Sequence, residues 1–510
     1  MAYSRPGVYI SERLLPPVLT GGVTANAAGA VVAPFAQGPE TVTLVNSWYE
    51  FTKYFGGYNS AYPATFQVGS YFTNGGKELY VKRLLADDAV AATTDLLSSA
   101  DATVARITAK SAGTDGNNLR IQVTAGSVSG TYTLAVLKEA GVADTVAGGV
   151  VTTGAGDDLL LERYENIVFD DAHSSDFAET VINTVSTNIS VNAQFPNAAI
   201  ELAIYPLTSG DNGTTPVAAD YTDYKGNGAA VFEDFSALDR PLVLFLPSVQ
   251  ELASDKVAVY DAATSWAESN NGFVVVDTPE NSTVDSAIAF AGSLADTSFA
   301  AVYYPWVYIS DPVGRGTGAL RKISPAGAIA GLYMTTDASR GVFKAPAGIT
   351  STIKGVVSVE KSFTSANLDA MNASTSPVNP LRQIPGAGLS VMGARTLLQD
   401  GTANKYVNMR RSLIYIRKQL KNSTEFAIFE NNDETLWTQI RSVLNVFLTE
   451  YKNQGGLRGA TNAQAFFIKC DAENNTAQSI ANGEVHIQVG VALQYPAEFI
   501  VIDLSQKTIN

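Results

Sequence analysis

Six stretches near the end of the chain decide its reading: NPLRQIPGAG at 379–388, GARTL at 393–397, YVNMRRSLIYI at 406–416, FAIFENNDETLWTQIRSVLNVFLTEY at 426–451, GGLRGATNAQAFFIKCDAENN at 455–475 and GVALQYPAEFIVI at 490–502. The fourth predicts the longest helix of the molecule, over 433–452. Asp433 stands at the N-cap position. Trp437, Ile440, Leu444, Phe447 and Tyr451 then recur at the spacing of one helical face, and Gly455-Gly456 ends the run. The runs 485–491 and 499–504 read as strands.

Upstream the pattern is α/β. Pro241–Leu246, Gly272–Asp277 and Ala300–Trp306 are short apolar strands, and helical spacing fills 255–269 and 283–294 between them. Strands alternating with helices require crossovers, hence a parallel or mixed sheet covered by helices. Ser324-Pro325 reads as a helix start, with Ser as N-cap and Pro at the first helical position. Residues 1–88 form a block of their own. A short arm around Arg5–Ile10 is cut off by Pro16-Pro17, and a buried strand lies at 30–33. A capping box, Ser47 to Glu50, starts a helix that stops at Gly56-Gly57. A second helix over 65–73 ends at Asn74-Gly-Gly, and a strand follows at 79–84.

Between these parts the character changes. Residues 89–235 are rich in Thr, Ser, Gly and Asp, with alternating patches at 104–108, 119–123 and 132–136, so strands dominate. They carry 19 Asp and Glu against 6 Lys and Arg, a net of −13 out of −15 for the whole chain. The fold class is therefore α/β (α+β) and multidomain: a mixed-sheet core built from N-terminal and C-terminal segments, with an inserted β-rich domain. The expected divisions are 1–20 (arm), 21–88 plus 236–375 (core), 89–235 (insert), 376–498 (C-terminal domain) and 499–510 (second arm).

Composition narrows the function. With 46% hydrophobic and 16% charged residues, a chain of 510 residues can bury large cores. The acidic balance argues against a nucleic-acid-coating protein. No stretch reaches the ~18 consecutive apolar residues of a membrane span. The start, MAYSRPGVYISER, lacks the apolar run of a secretion signal, so folding in a cytoplasm is expected. Cys470 is the one cysteine and reads as a buried structural thiol. His173 and His486 have no partners at ligand spacing, so no metal is expected. No nucleophile elbow occurs. Asn74-Gly-Gly-Lys77 lacks the first glycine and the hydroxyl residue of a phosphate loop, and Gly314–Gly318 has the wrong spacing for a dinucleotide fingerprint. No catalytic residue, cofactor or metal site is assigned.

One charged feature stands out. Arg410, Arg411, Arg417, Lys418 and Lys421 fall in a segment, 380–421, whose only acid is Asp400. Arg410, Arg417 and Lys421 lie near one helical face, with Leu413, Ile416 and Leu420 on another. Two readings stay open: an amphipathic helix with a wet basic side, or a contact with an acidic partner.

The six blocks, in this order, resemble the C-terminal domain of contractile tail sheath proteins of bacteriophages and related injection machines. The resemblance extends to Pro6-Gly-Val-Tyr9, Ala33–Pro39, Ser47–Gly57, Tyr71–Gly76, Tyr80–Arg83, Tyr303–Trp306, Asp311-Pro312, Ser324–Gly327, Arg340-Gly341 and Lys344–Pro346. It thus covers 1–88 and 236–510 and leaves most of the insert uncovered. It departs from the family's pattern after Glu498, where only a short tail remains. It implies a non-enzymatic virion protein whose copies form six-membered rings, stacked helically around a tail tube and capped by baseplate and tail terminator proteins, without nucleic acid or membrane insertion. It implies that the C-terminal domain faces the tube, and the net charge of −13 and low aromatic content of the insert lead us to expect that it faces outward, where like-charged copies lie farthest apart. It also implies that Pro6, Gly7, Val8, Tyr9 and Ile10, with Phe499, Ile500, Val501 and Ile502, add strands to neighbouring copies. The five basic residues are then candidates for touching the tube or a neighbour. Sheaths of phage-like bacteriocins and injection systems are the alternative, and an α/β enzyme with an inserted domain the remote one.

Overall fold

The central sheet of the computed structural model follows from its apolar runs. It describes residues 27–139, 158–194, 199–314, 318–399 and 403–498, together with 145–147, 150–152 and 316; the two expected arms, Pro6–Ile10 and Phe499–Ile502, lie outside them. Eight strands make the sheet: β1 (Ala28–Ala33), β2 (Thr43–Val45), β3 (Leu79–Arg83), β4 (Leu242–Phe245), β5 (Gly272–Asp277), β6 (Ala300–Tyr304), β7 (Val378–Ile384) and β8 (Gly388–Val391). Their order is β2-β3-β1-β4-β5-β6-β7-β8, parallel throughout except for the antiparallel edge strands β2 and β8. β1, β4, β5 and β6 are buried along their whole length, as parallel strands covered on both faces must be.

Helices cover the sheet: α1 (Trp48–Phe55), α2 (Ala64–Thr73), α3 (Lys256–Asn270), α4 (Val284–Ser293) and α5 (Ala326–Arg340). The Ser47 hydroxyl accepts from the Glu50 amide at 3.1 Å, but the Glu50 carboxylate takes the amide of Asn46 (2.8 Å), one residue before the expected partner. α5 departs further from expectation. Ser324 does not cap it; its hydroxyl donates to Asp277 at 2.5 Å, and the other Asp277 oxygen accepts the Ala326 amide at 2.9 Å. The cap comes from the end of β5, a long-range partner that local sequence does not reveal. α5 packs on α2 through Gly327 and Gly331, where a Cβ would lie 2.3 Å from the carbonyl oxygens of Gln67 and Tyr71.

The insert has its own apolar core, running from Ala92 to Leu207. A four-stranded antiparallel sheet (159–167, 132–138, 119–125, 204–206) and a three-stranded one (189–193, 103–112, 91–97) share it with a helix at Ala178–Val185. The insert closes earlier than expected. Val90 and Asp211 exchange backbone hydrogen bonds, and the Thr214 amide reaches Asp88. Tyr221, Val231, Phe232 and Phe235 are buried in the main core instead. The boundary at 235 therefore moves to about residue 214, because the aromatic run 221–235 has too much apolar surface to leave the α/β domain. Arg83 fastens the base of the insert. Fully buried, its guanidinium donates to the carbonyls of Phe35, Ala36 and Gly38, to Ser111 Oγ and to the carbonyl of Ala112. Burial lowers its pKa to about 10, against the opposing pull of Tyr62, Glu40 and Asp115 nearby.

The other boundary also moves. β7 and β8, expected in the C-terminal domain, belong to the central sheet. The C-terminal domain starts after Leu397 and is built on α6 (Val407–Thr424), α7 (Glu434–Asn453) and a ribbon of two strands, Phe466–Lys469 and Gln488–Val491. Asp433 caps α7 as expected, accepting from the Leu436 amide at 2.9 Å.

Candidate functional site

α6 carries the basic residues, and its surroundings decide what they can do. Val407 and Ile414 enter the central core, while Met409, Tyr415 and Ile416 enter the C-terminal one. Wedged between two cores, the helix keeps only part of its basic side wet: Arg417 and Lys421 are exposed, while Arg411 and Lys418 are buried against the central domain. Arg411 is 4% exposed and forms a two-pronged ion pair with Asp337 of α5, which is fully buried. Its guanidinium also lies over the Tyr333 ring, 4.7 Å from the centroid, and Tyr333 shares a 2.5 Å hydrogen bond with Tyr303. Burial raises both phenol pKa values and that of Asp337, and Arg411 opposes the rise at Asp337. Lys418 and Lys421 converge on Asp239 at 2.8 and 2.9 Å. Their proximity holds the Asp239 carboxyl below its ordinary pKa.

Arg410 and Arg417 differ. Neither has a carboxylate within ion-pair distance among the described residues. Arg417 donates to the Asn271 side chain at 2.8 Å, and Arg410 stacks on Phe299 at 4.3 Å with its Nε unpartnered. Burial and the neighbouring Arg417 lower the Arg410 pKa. Both line a groove of about 270 Å³ with Leu413, Ile416, Val489 and Val491. This groove runs beside the ribbon strand Gln488–Val491.

The ribbon is the second element. Phe466 faces Val491, Phe467 faces Gly490, and Ile468 faces Val489. Phe467 crosses Gly490, where a Cβ would sit 2.1 Å from the ring, so any side chain there would push the half-exposed ring aside. Among the described residues no further strand pairs with the outer edges of 466–469 and 488–491; the one neighbouring bridge, Leu457 to Leu493, lies past the end of the second strand. Two-stranded sheets are marginal alone, and open edges are templates for added strands. Sequence reading missed the ribbon's first strand, which is four residues long and follows a four-residue helix at Asn462–Ala465. It also missed the Asp337 partner of Arg411, although a lone acid in an otherwise apolar helix is a readable sign of a buried cation.

Cys470 is buried, and Asn475 lies 3.8 Å from its sulfur. His486 is half-exposed beside Glu484. Among the described residues no helix is long and apolar enough to cross a membrane.

Residues 231–397 match the phage tail sheath protein central domain, and residues 399–507 match the phage tail sheath C-terminal domain. The junction falls where the structure separates β8 from α6. The tail sheath protein of Vibrio phage KVP40 is 28% identical over 184 residues, 36% of this chain and 26% of that protein. The tail sheath protein of Salmonella phage ViI is 20% identical over 231 residues, 44% of this chain and 34% of that protein. The matched stretches thus span about a quarter to a third of these relatives. In fold, the chain is similar to the contracted sheath of the extracellular contractile injection system PVC (TM-score 0.58, 21% identity, 99% of both chains). It is also similar to a sheath tail protein of Listeria innocua (TM-score 0.59, 14% identity, 91% of this chain and 94% of that one). The class so defined is that of sheath proteins of contractile tails. Within it, the two adjacent domain matches cover more than half of the sequence, and the chain belongs to the phage tail sheath protein family.

Proposed function

We propose that the chain is the structural subunit of a contractile sheath: copies assemble in six-membered rings, stack helically around a tail tube, and shorten to drive the tube through an envelope for genome delivery. The observation that carries this reading is the open-edged ribbon, set in a domain of the sheath family. Strands added from neighbouring copies satisfy its backbone groups, and such a linkage survives while domain surfaces slide and repack. The arms Pro6–Ile10 and Phe499–Ile502 supply those strands. Arg410 and Arg417, the two α6 cations without a carboxylate, are the favoured contacts to the tube or a neighbour; Arg411, Lys418 and Lys421 spend their charge inside the subunit. The energy comes from the difference between two packings of one subunit, so no nucleotide enters. The partners are other copies, the tube, the baseplate and a terminator, in a virion assembled in the host cytoplasm.

A second reading, the sheath of a phage-derived injection machine, draws on the full-length likeness to such sheaths, among them a chain of the anti-feeding prophage baseplate. Electron microscopy of the protein purified alone and with its tube decides between a sheath subunit and an enzyme. Long hollow tubes support the sheath; dispersed monomers under all conditions refute it.

A further inference from the structure

A cavity of about 670 Å³ lies on the seam between the central and C-terminal domains. Phe343, Met392, Tyr406 and Tyr495 give it apolar walls. Asn408, which also lines it, is 2% exposed. Its amide nitrogen is committed to the carbonyls of Phe343 (2.9 Å) and Gln494 (3.1 Å), which fixes the amide, and its oxygen has no partner. A buried acceptor left open is costly unless something donates to it. Two cations complete the lining. Arg340 and Lys344 have no carboxylate within ion-pair distance among the described residues, and Lys344 donates only to the carbonyls of Ala345 and Ala347. Burial, and then Arg340, hold the Lys344 pKa below its ordinary value. Apolar walls, one acceptor for an N–H and two cations describe a site for an extended apolar peptide that carries a carboxylate.

The chain itself delivers such a peptide to the spot. Glu498 lines the cavity, tied to Arg395 at 2.7 Å and to the Tyr406 hydroxyl at 3.1 Å. The sequence continues Phe499-Ile-Val-Ile-Asp503. Five extended residues reach roughly 17 Å, enough to cross a cavity of this size. We infer that Phe499–Asp503 docks in this cavity of its own subunit before assembly, with its apolar side chains on Phe343, Met392 and Tyr495, an amide on Asn408 Oδ1, and Asp503 between Arg340 and Lys344. The inference rests on the sheath reading, in which the same segment later leaves to join a neighbour. Docking hides an apolar, strand-prone segment that would otherwise promote irregular association. It also makes polymerisation compete with undocking.

The test uses the full chain with Ala347→Cys, on the cavity wall, and Leu504→Cys in a Cys470→Ala background, which keeps Arg340, Lys344 and Asp503, treated with a short bismaleimide at a dilution where the protein is monomeric. An intrachain link forming about tenfold faster than in a Tyr49→Cys, Leu504→Cys control is expected from the raised effective concentration. Equal rates, or links only between chains, overturn the proposal; the latter assigns the cavity to a second copy. Hydrogen exchange on the unsubstituted chain is the independent check. Amides of 343–348 should exchange about tenfold more slowly than in a chain ending at Glu498, and unchanged exchange overturns the docking. Electron microscopy separates the two readings. Polymer without the intrachain link removes the docking alone, and the link without any polymer from unsubstituted protein removes the sheath reading alone.

Discussion

Replacing Arg411 by Met should loosen the joint between the central and C-terminal domains. The substitution leaves Asp337 fully buried, with its ionised form deprived of both guanidinium hydrogen bonds. Breaking a buried pair from one side costs about 3–5 kcal/mol. Loss of the Tyr333 contact falls within that figure rather than adding to it. For a cooperative unit of a few hundred residues, at about 2 °C per kcal/mol, the melting temperature should fall by roughly 6–10 °C. The double variant Asp337→Leu, Arg411→Met removes both charges and should recover most of the loss, since an apolar pair of similar volume is often as stable as a buried ion pair. Arg411→Lys should fall between, because one ammonium cannot serve both carboxylate oxygens. Scanning calorimetry on the three variants is the assay. A single Arg411→Met variant that melts within about 2 °C of the parent, or a double variant no better than the single, would refute the view that this pair locks the domains.

Four other outcomes are expected. Gly331→Ala should destabilise by about 1–3 kcal/mol, because the new methyl meets the Tyr71 carbonyl, which cannot yield without moving α2; unchanged denaturant melting would show that the helices are not in close contact. Burial raises the Asp277 pKa to about 7, so the folded chain keeps a proton that the unfolded chain releases near pH 4. Stability should then fall as pH rises from 5 through 7, at up to ~1.4 kcal/mol per pH unit, and Asp277→Asn should flatten that slope in melts at pH 5.5 and 8; equal slopes contradict the assignment. Deleting Met1–Leu15 should leave a folded subunit that forms no tubes in electron micrographs, and normal tubes would show that this arm is not a linker. Reversing Arg410 and Arg417 to Glu should weaken co-assembly with the tube more at low salt than at high salt, with little change in melting; unchanged co-assembly removes them as contacts.

The order of elements was legible because it rests on local signals. The caps at Ser47 and Asp433 and the apolar runs at 242–245, 272–277 and 300–304 each carry their own evidence. What sequence missed depends on partners far along the chain. Asp277 caps a helix 49 residues away. Residues 221–235 look like the end of an acidic segment, yet their aromatics belong to another core. β7 and β8 sit next to the C-terminal blocks in sequence but hydrogen-bond to β6 and to each other. The basic run on α6 was correctly seen as unusual, but its charge count could not show that Asp337 and Asp239, from separate elements, neutralise three of its five cations.

A three-dimensional reconstruction of the assembled polymer, resolved to individual strands around residues 466–469 and 488–491, tests the central claim most directly. The account predicts that both open edges of each ribbon are occupied in the polymer, by residues 5–10 of one neighbouring copy and 499–502 of another. A polymer in which the ribbon stays two-stranded, its copies joined only through side-chain contacts, would contradict it.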